Sequence, residues 1–177
     1  MRWIVFLMVA FCFSCKNDPL LVNEFFSEDE LPVEIIEKSK LIHTENGFVE
    51  IEINASKIQR FIGDHPRLIF SDGFEVIFYN DSAKIVSNLS AWNAVVDEIN
   101  HLMSATNSVV LKNSNRKLET EHLIWDQEKK LIYTDNDVII TTDKEVIYAE
   151  GFSSDPNFKD YTLKKISGRM YINSIND

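Results

Sequence analysis

The chain has 177 residues and a formal net charge of −10, with plentiful aromatic and β-branched residues and few Gly and Pro. That length builds one domain with a real core rather than two, and the composition argues against disorder. The acidic balance argues against nucleic acid as a partner, because no basic stripe is present to neutralise phosphates, and against an electrostatic grip on an anionic membrane.

Arg2 is followed by an apolar run from Trp3 to Phe13, the length of a signal-peptide core and too short to span a bilayer. The run closes at Phe13-Ser14-Cys15, which resembles a bacterial lipoprotein cleavage box in which the cysteine becomes the lipidated first residue. One departure is Cys12, where such boxes favour leucine. Residues 1–14 are therefore expected to be a lipoprotein signal peptide and Cys15 a membrane anchor. The mature chain then holds a single acylated cysteine, so sheet and core alone stabilise it, without a disulfide. Lys16 stands where some bacteria place an Asp for inner-membrane retention, which leaves the outer membrane open as a destination.

Residues 15–38 carry acidic clusters around Pro19 and Pro32 and read as a lipidated tether with at most one weak helical turn. Residues 39–177 form the expected domain, and strands dominate it. Lys40 to His43 and Phe48 to Asn54 read as a hairpin, with Asn46-Gly47 supplying the positive φ of its turn. Val49, Ile51 and Ile53 alternate with Glu50, Glu52 and Asn54, giving one apolar and one wet face. Ala55 to Ile62 fits either a short helix or another strand, ended by Gly63-Asp-His-Pro66. Phe74, Val76 and Phe78 resume the alternation after a turn expected at Asp72-Gly73. Near the C-terminus the sequence predicts a strand at Glu145 to Tyr148, a loop at Gly151 to Pro156, and two closing strands around Thr162 to Ile166 and Met170 to Ile172.

Between these lies a near-repeat. Leu89 to Asp97 aligns with Leu118 to Asp126, 29 residues later, and Met103, Asn107 and Val109 to Leu111 meet Ile132, Asn136 and Val138 to Ile140. A period of this size built from short apolar beats reads as a two-strand unit stacked on a copy of itself. Trp92 and Trp125 are not equivalent in this register and receive no shared role.

No catalytic constellation is present. His43, His65, His101 and His122 have no ligand spacing, and surface or half-buried strand positions explain them. The sequence contains neither a phosphate-binding Gly-x4-Gly-Lys-Ser/Thr loop nor a Gly-x-Ser-x-Gly elbow. The abundant carboxylates sit in runs or alternate outward, as solvated faces do. The reading is a non-enzyme without a cofactor.

Ser71 to Tyr79, Ala83 to Ala91, Ser108 to Asn113, Leu118 to Asp126, Ile132 to Asp135 with Val138, and Gly151 to Asp155 together resemble the LptC family of lipopolysaccharide-export proteins. The resemblance covers roughly residues 27–172 and rests on the ordered series, no single motif being diagnostic. Well-known members carry a transmembrane helix where this chain has the cleavage box. The resemblance implies an all-β fold: a half-open β-jellyroll, or folded antiparallel sheet, with an apolar groove. It also implies a relay of lipopolysaccharide from the periplasmic jellyroll of an inner-membrane ABC transporter to a periplasmic, LptA-like bridge protein, with acyl chains held in the groove. The expected location is the periplasmic face of the inner membrane.

Alternation and the repeat nominate the groove residues Val49, Ile51, Ile53, Phe74, Val76, Phe78, Leu89, Ala91, Met103, Val109, Leu111, Leu118, Ile132, Val138 and Ile140. The same side chains would equally fill a closed core. Leu41, Ile42 and His43 on the first strand, and Tyr161, Leu163, Ile166, Met170 and Ile172 on the last, are the expected edges for strand addition to partners. Two alternatives stand beside this: an envelope lipoprotein sandwich that scaffolds a complex or carries another apolar ligand, and an accessory domain whose catalytic partner is a separate chain; a scaffold should be packed shut.

Overall fold

The computed structural model describes residues 31–171; the expected signal peptide, Cys15, most of the expected tether and Ile172 lie outside them. Ten strands form one antiparallel sheet: β1 (Glu34–Glu45), β2 (Phe48–Phe61), β3 (Arg67–Tyr79), β4 (Ile85–Ala91), β5 (Asn93–Asp97), β6 (Leu102–Lys112), β7 (Arg116–Asp126), β8 (Leu131–Thr142), β9 (Glu145–Ser154) and β10 (Tyr161–Tyr171). Chain order is sheet order, and β4 and β5 are two halves of one bent strand, each pairing both β3 and β6. β1 and β10 are the two edges. The fold is the all-β, jellyroll-like architecture the sequence predicts.

A line of irregularities crosses the sheet. Lys38, Asp72, Gly73, Asn107, Ser108 and Gly151 adopt positive φ, and the ladders shift at Ala55/Lys57, Thr106/Val109, Thr120/Ile124 and Thr134/Asp137. At Trp92 the strand breaks between β4 and β5; its carbonyl accepts from Gly73 N–H at 3.0 Å and its N–H donates to Asn107 O at 3.1 Å. A bulge adds one residue to one strand of a pair and bends it. Aligned across neighbouring strands, such bulges crease the whole sheet.

Two rows of buried side chains flank this crease. Ala55, Phe74, Ala91, Val109, Thr120, Val138 and Ala149 lie on one side, and Ile58, Phe70, Ala94, Ala105, Leu123, Thr134 and Phe152 on the other. From one row to the other the chain advances three residues on β2, β4/β5, β7 and β9, but four on β3, β6 and β8. Each pair of neighbours therefore carries one extra residue on one strand, and inward facing is preserved on both walls.

The walls meet. The order β3, β4, β6, β7 would separate Phe78 from Trp125 by three strand steps, roughly 14 Å in a flat sheet. Their ring centroids are 5.1 Å apart, edge to face. At one end the loop after β9 closes the fold: Phe158 is fully buried at φ 54, its ring 5.5 Å from Phe152 and 5.8 Å from Tyr161. Asn113 Nδ2 donates to Phe158 O at 2.9 Å and Arg116 to Lys159 O at 3.1 Å, tying that loop to the β6–β7 turn.

The 29-residue period extends further than the sequence reading. Leu89, Leu118 and Ile147 are successive equivalents and all are buried, as are Ala94, Leu123 and Phe152. Asp97 and Asp126 end the outgoing strands of their copies and Asp155 directly follows β9, and each carboxylate accepts a backbone N–H of the following turn, from Asn100 (3.0 Å), Lys129 (2.9 Å) and Lys159 (3.1 Å). β4/β5–β6, β7–β8 and β9–β10 are thus three copies of one hairpin unit.

Several expectations need correction. β1 begins at Glu34, inside the segment assigned to the tether, because Glu34 to Glu37 find ladder partners in Arg60 to Lys57. Ala55 to Phe61 continues β2 as strand, bent at the crease. Asp72-Gly73 does not separate two strands but lies within β3, where positive φ makes the bend. Gly151 to Ser154 belongs to β9, and the loop starts at Asp155. The expected two closing strands are one, β10, irregular between Ile166 and Gly168.

Candidate functional site

Next to the loop that carries Phe158, whose Pro156 and Asn157 border it, the walls stand apart around a cavity of about 880 Å³. That is within the roughly 300–1,000 Å³ usual for small-molecule sites. Leu41, Ile51, Ile53 and Phe78 line it from β1–β3 on one side of the crease. Leu68, Phe70, Val96, Met103 and Trp125 line it from the other. Leu41 and Ile53 are register partners, as are His43 and Ile51, so both first-strand residues point inward.

The nominated groove residues divide into two groups. Ile51, Ile53, Phe78 and Met103 line the cavity, while Phe74, Val76, Leu89, Ala91, Val109, Leu111, Leu118, Ile132, Val138 and Ile140 are buried core between the closed walls. Val49 is half-buried outside the cavity, beside the β1–β2 turn. Sequence reasoning missed Leu68, Phe70, Val96 and Trp125. The signal was present: Val96 and Trp125 are equivalent in the 29-residue register, but strict alternation carried through the crease puts the wrong face inward on three-residue strands. Trp92, by contrast, is exposed on the outside of the crease.

The mouth is polar. His43 faces Ile51 and Thr44 faces Val49, so Glu50 is the extra residue of a bulge. A bulge re-aims side chains, and Glu50 joins the cavity lining instead of the wet face that alternation assigns it. Lys130, at φ 49 at the end of the β7–β8 turn, reaches across to Glu50 Oε1 at 3.0 Å and Glu45 Oε2 at 3.8 Å. His43 Nε2 lies 4.0 Å from Glu50 Oε2. The hydrogen bond from Lys130 holds Glu50 below the usual carboxylate range, and Glu50 in turn raises the Lys130 ammonium. Among the lining residues Lys130 is the one Lys or Arg.

The edges are arranged as follows. Ile42, Ile166 and Met170 are exposed, whereas Tyr161 and Leu163 pack partly against the core. Among the described residues no group of three His, Cys, Asp or Glu is placed to hold a metal.

A family model described as lipopolysaccharide-assembly, LptC-related, matches residues 5–169. The chain belongs to the LptC family. Membership makes it a component of lipopolysaccharide transport, in a family that works in the periplasm in association with the inner membrane. No curated protein matches the chain. The creased sheet, open at one end and free at both edges, agrees with the architecture expected of an LptC-like jellyroll.

Proposed function

We propose that this protein carries lipopolysaccharide acyl chains in the cavity between the two walls and relays them from the transporter's periplasmic jellyroll to an LptA-like bridge protein. The observation that carries this reading is the cavity itself, apolar at depth and polar at its mouth. Each methylene withdrawn from water contributes about 0.8 kcal/mol, so one 14-carbon chain is held by on the order of 10 kcal/mol. Release into water is prohibitive, while transfer to an adjoining groove is nearly neutral, which is why a relay needs jellyrolls in contact. Directional energy comes from nucleotide hydrolysis in the transporter, and this chain needs no chemistry of its own. β1 and β10, at opposite ends of the sheet, supply the two docking edges: β1 for the transporter and β10 for the bridge. Cys15, outside the described residues, anchors the chain by its lipid at the inner membrane.

Photo-crosslinkers at Phe78 or Met103 should capture lipopolysaccharide in an ATP-dependent manner when the transporter is present. A crosslinker at Glu119, half-buried on the outer face of β7 between inward Leu118 and Thr120, should not. Equal capture at all three positions would overturn the reading in favour of a scaffold. Crosslinkers at exposed Ile42 and Ile166 report the two docking edges; their exchange of partners would reverse the orientation.

A further inference from the structure

The β1–β2 hairpin pairs with the rest of the sheet only through β3. It also forms one side of the cavity, through Leu41, His43, Glu50, Ile51 and Ile53. Among the described residues two ionic ties fix it elsewhere: Arg60 to Glu98 at 3.6 Å, beyond the crease, and Lys130 to Glu50 and Glu45 at the mouth. Lys130 comes from the opposite wall, 80 residues along the chain from Glu50. Its position is set by the turn that the Asp126 carboxylate organises through Lys129 N–H at 2.9 Å. Glu50 faces the mouth only because of the bulge opposite His43 and Thr44.

We infer that Lys130 and Glu50 form a latch across the cavity mouth, and that its release lets the β1–β2 arm swing on the β2–β3 ladder to admit a lipid. This rests on the acyl-carrying reading of the cavity and adds to it the residues that govern entry. The arm carries edge β1, so a partner adding a strand there pulls on the element the latch restrains. Exposed ion pairs of this kind are weak and screened by salt, which suits a contact that must open repeatedly. Lys130 is here a positioning residue: it restrains the arm and need not touch the acyl chain.

The test uses the full chain in lipid nanodiscs and reads amide hydrogen exchange over residues 51–54 and 75–78, where β2 pairs with β3 beside the cavity. Lys130→Met should speed exchange there several-fold. Glu50→Gln should do so less, because Lys130 keeps Glu45, and raised salt should mimic both in the wild type. Exchange over β7 and β8 should stay unchanged, showing an intact fold. The swap of Lys130→Glu with Glu50→Lys should return exchange towards wild type. Wild-type exchange in Lys130→Met, or failure of the swap to restore it, overturns the latch. In parallel, a photo-crosslinker at Ile53 should capture lipopolysaccharide faster in the Lys130→Met background. Capture at wild-type rate there overturns the latch as an entry control. Absence of capture in every background, with exchange as expected, overturns the lipid reading and leaves the latch standing.

Discussion

The ring of Phe78 on β3 meets the indole of Trp125 on β7 edge to face, with centroids 5.1 Å apart. Both are nearly fully buried and both border the cavity, so this contact sets how closely the walls approach. Trp125→Ala should cost about 3–5 kcal/mol of unfolding free energy, as large aromatic truncations do. A double-mutant cycle with Phe78→Leu should give a coupling of about 0.5–1.5 kcal/mol. Urea unfolding of the four proteins measures both; additivity would mean that the rings do not couple the walls.

The Asp126 carboxylate accepts from Lys129 N–H at 2.9 Å and binds its ammonium at 2.7 Å. Asp126→Ala removes the turn's acceptor and should destabilise by about 0.5–2 kcal/mol, by analogy with loss of a helix cap. Asp126→Asn keeps an acceptor oxygen and should lose less. Thermal melts of the two variants rank them, and equal losses would assign the effect to charge alone.

Acid should weaken the fold, and the sign follows from the carboxylates. Glu50, Glu52, Asp97, Asp126 and Asp135 are all held below their ordinary values, chiefly by Lys130, Lys40, the Asn100 backbone N–H, Lys129 and Lys164 respectively. A depressed folded-state pKa contributes stability above the unfolded value, about 4, that is lost as pH falls through the folded one. Tm should be flat between about pH 6 and 8 and fall below about pH 4. Asp126→Asn should have a shallower acid limb.

Gly151 crosses the crease at φ 81, and a Cβ there would stand 2.8 Å from Lys164 Cδ and 3.0 Å from its Cβ. Gly151→Ala combines left-handed strain with that overlap and should cost about 1–3 kcal/mol. Gly47→Ala, at φ 84 with open space around it, bears the strain alone. A smaller fall in Tm for Gly47→Ala than for Gly151→Ala would support the close approach; equal falls would dismiss it.

Cys15→Ser should abolish acylation and leave an uncleaved precursor or a soluble product. Mass spectrometry of the mature N-terminus decides this, and an unmodified start elsewhere would remove the lipid anchor. Stable attachment takes more than one acyl chain, so a singly acylated product would also count against it.

Much of the fold was legible because burial and β periodicity coincide over short runs. Phe74, Val76 and Phe78 alternate on one side of the crease, and the 29-residue register correctly matched Leu89 with Leu118 and Met103 with Ile132. What failed was continuity through the bend. Asp72-Gly73 and Gly151 carry turn chemistry, yet neighbours on both sides hold them within strands, so a local signal was overridden by the ladder. The third repeat copy was obscured because β10, at the edge, has polar residues where β6 and β8 have core ones: Arg169 stands in register after Leu111 and Ile140. Glu50 was assigned to the outer face because a bulge is invisible to simple alternation.

The alternation of three-residue and four-residue crossings makes the hairpin the quantum of growth for this sheet. One 29-residue unit contributes one crossing of each kind and reverses direction twice. Another such unit would lengthen both walls, retain the bend and leave the terminal strands running as before. A single added strand would instead reverse the terminal edge and break the sequence of crossings, so trough length can change in double-strand steps without altering the docking ends.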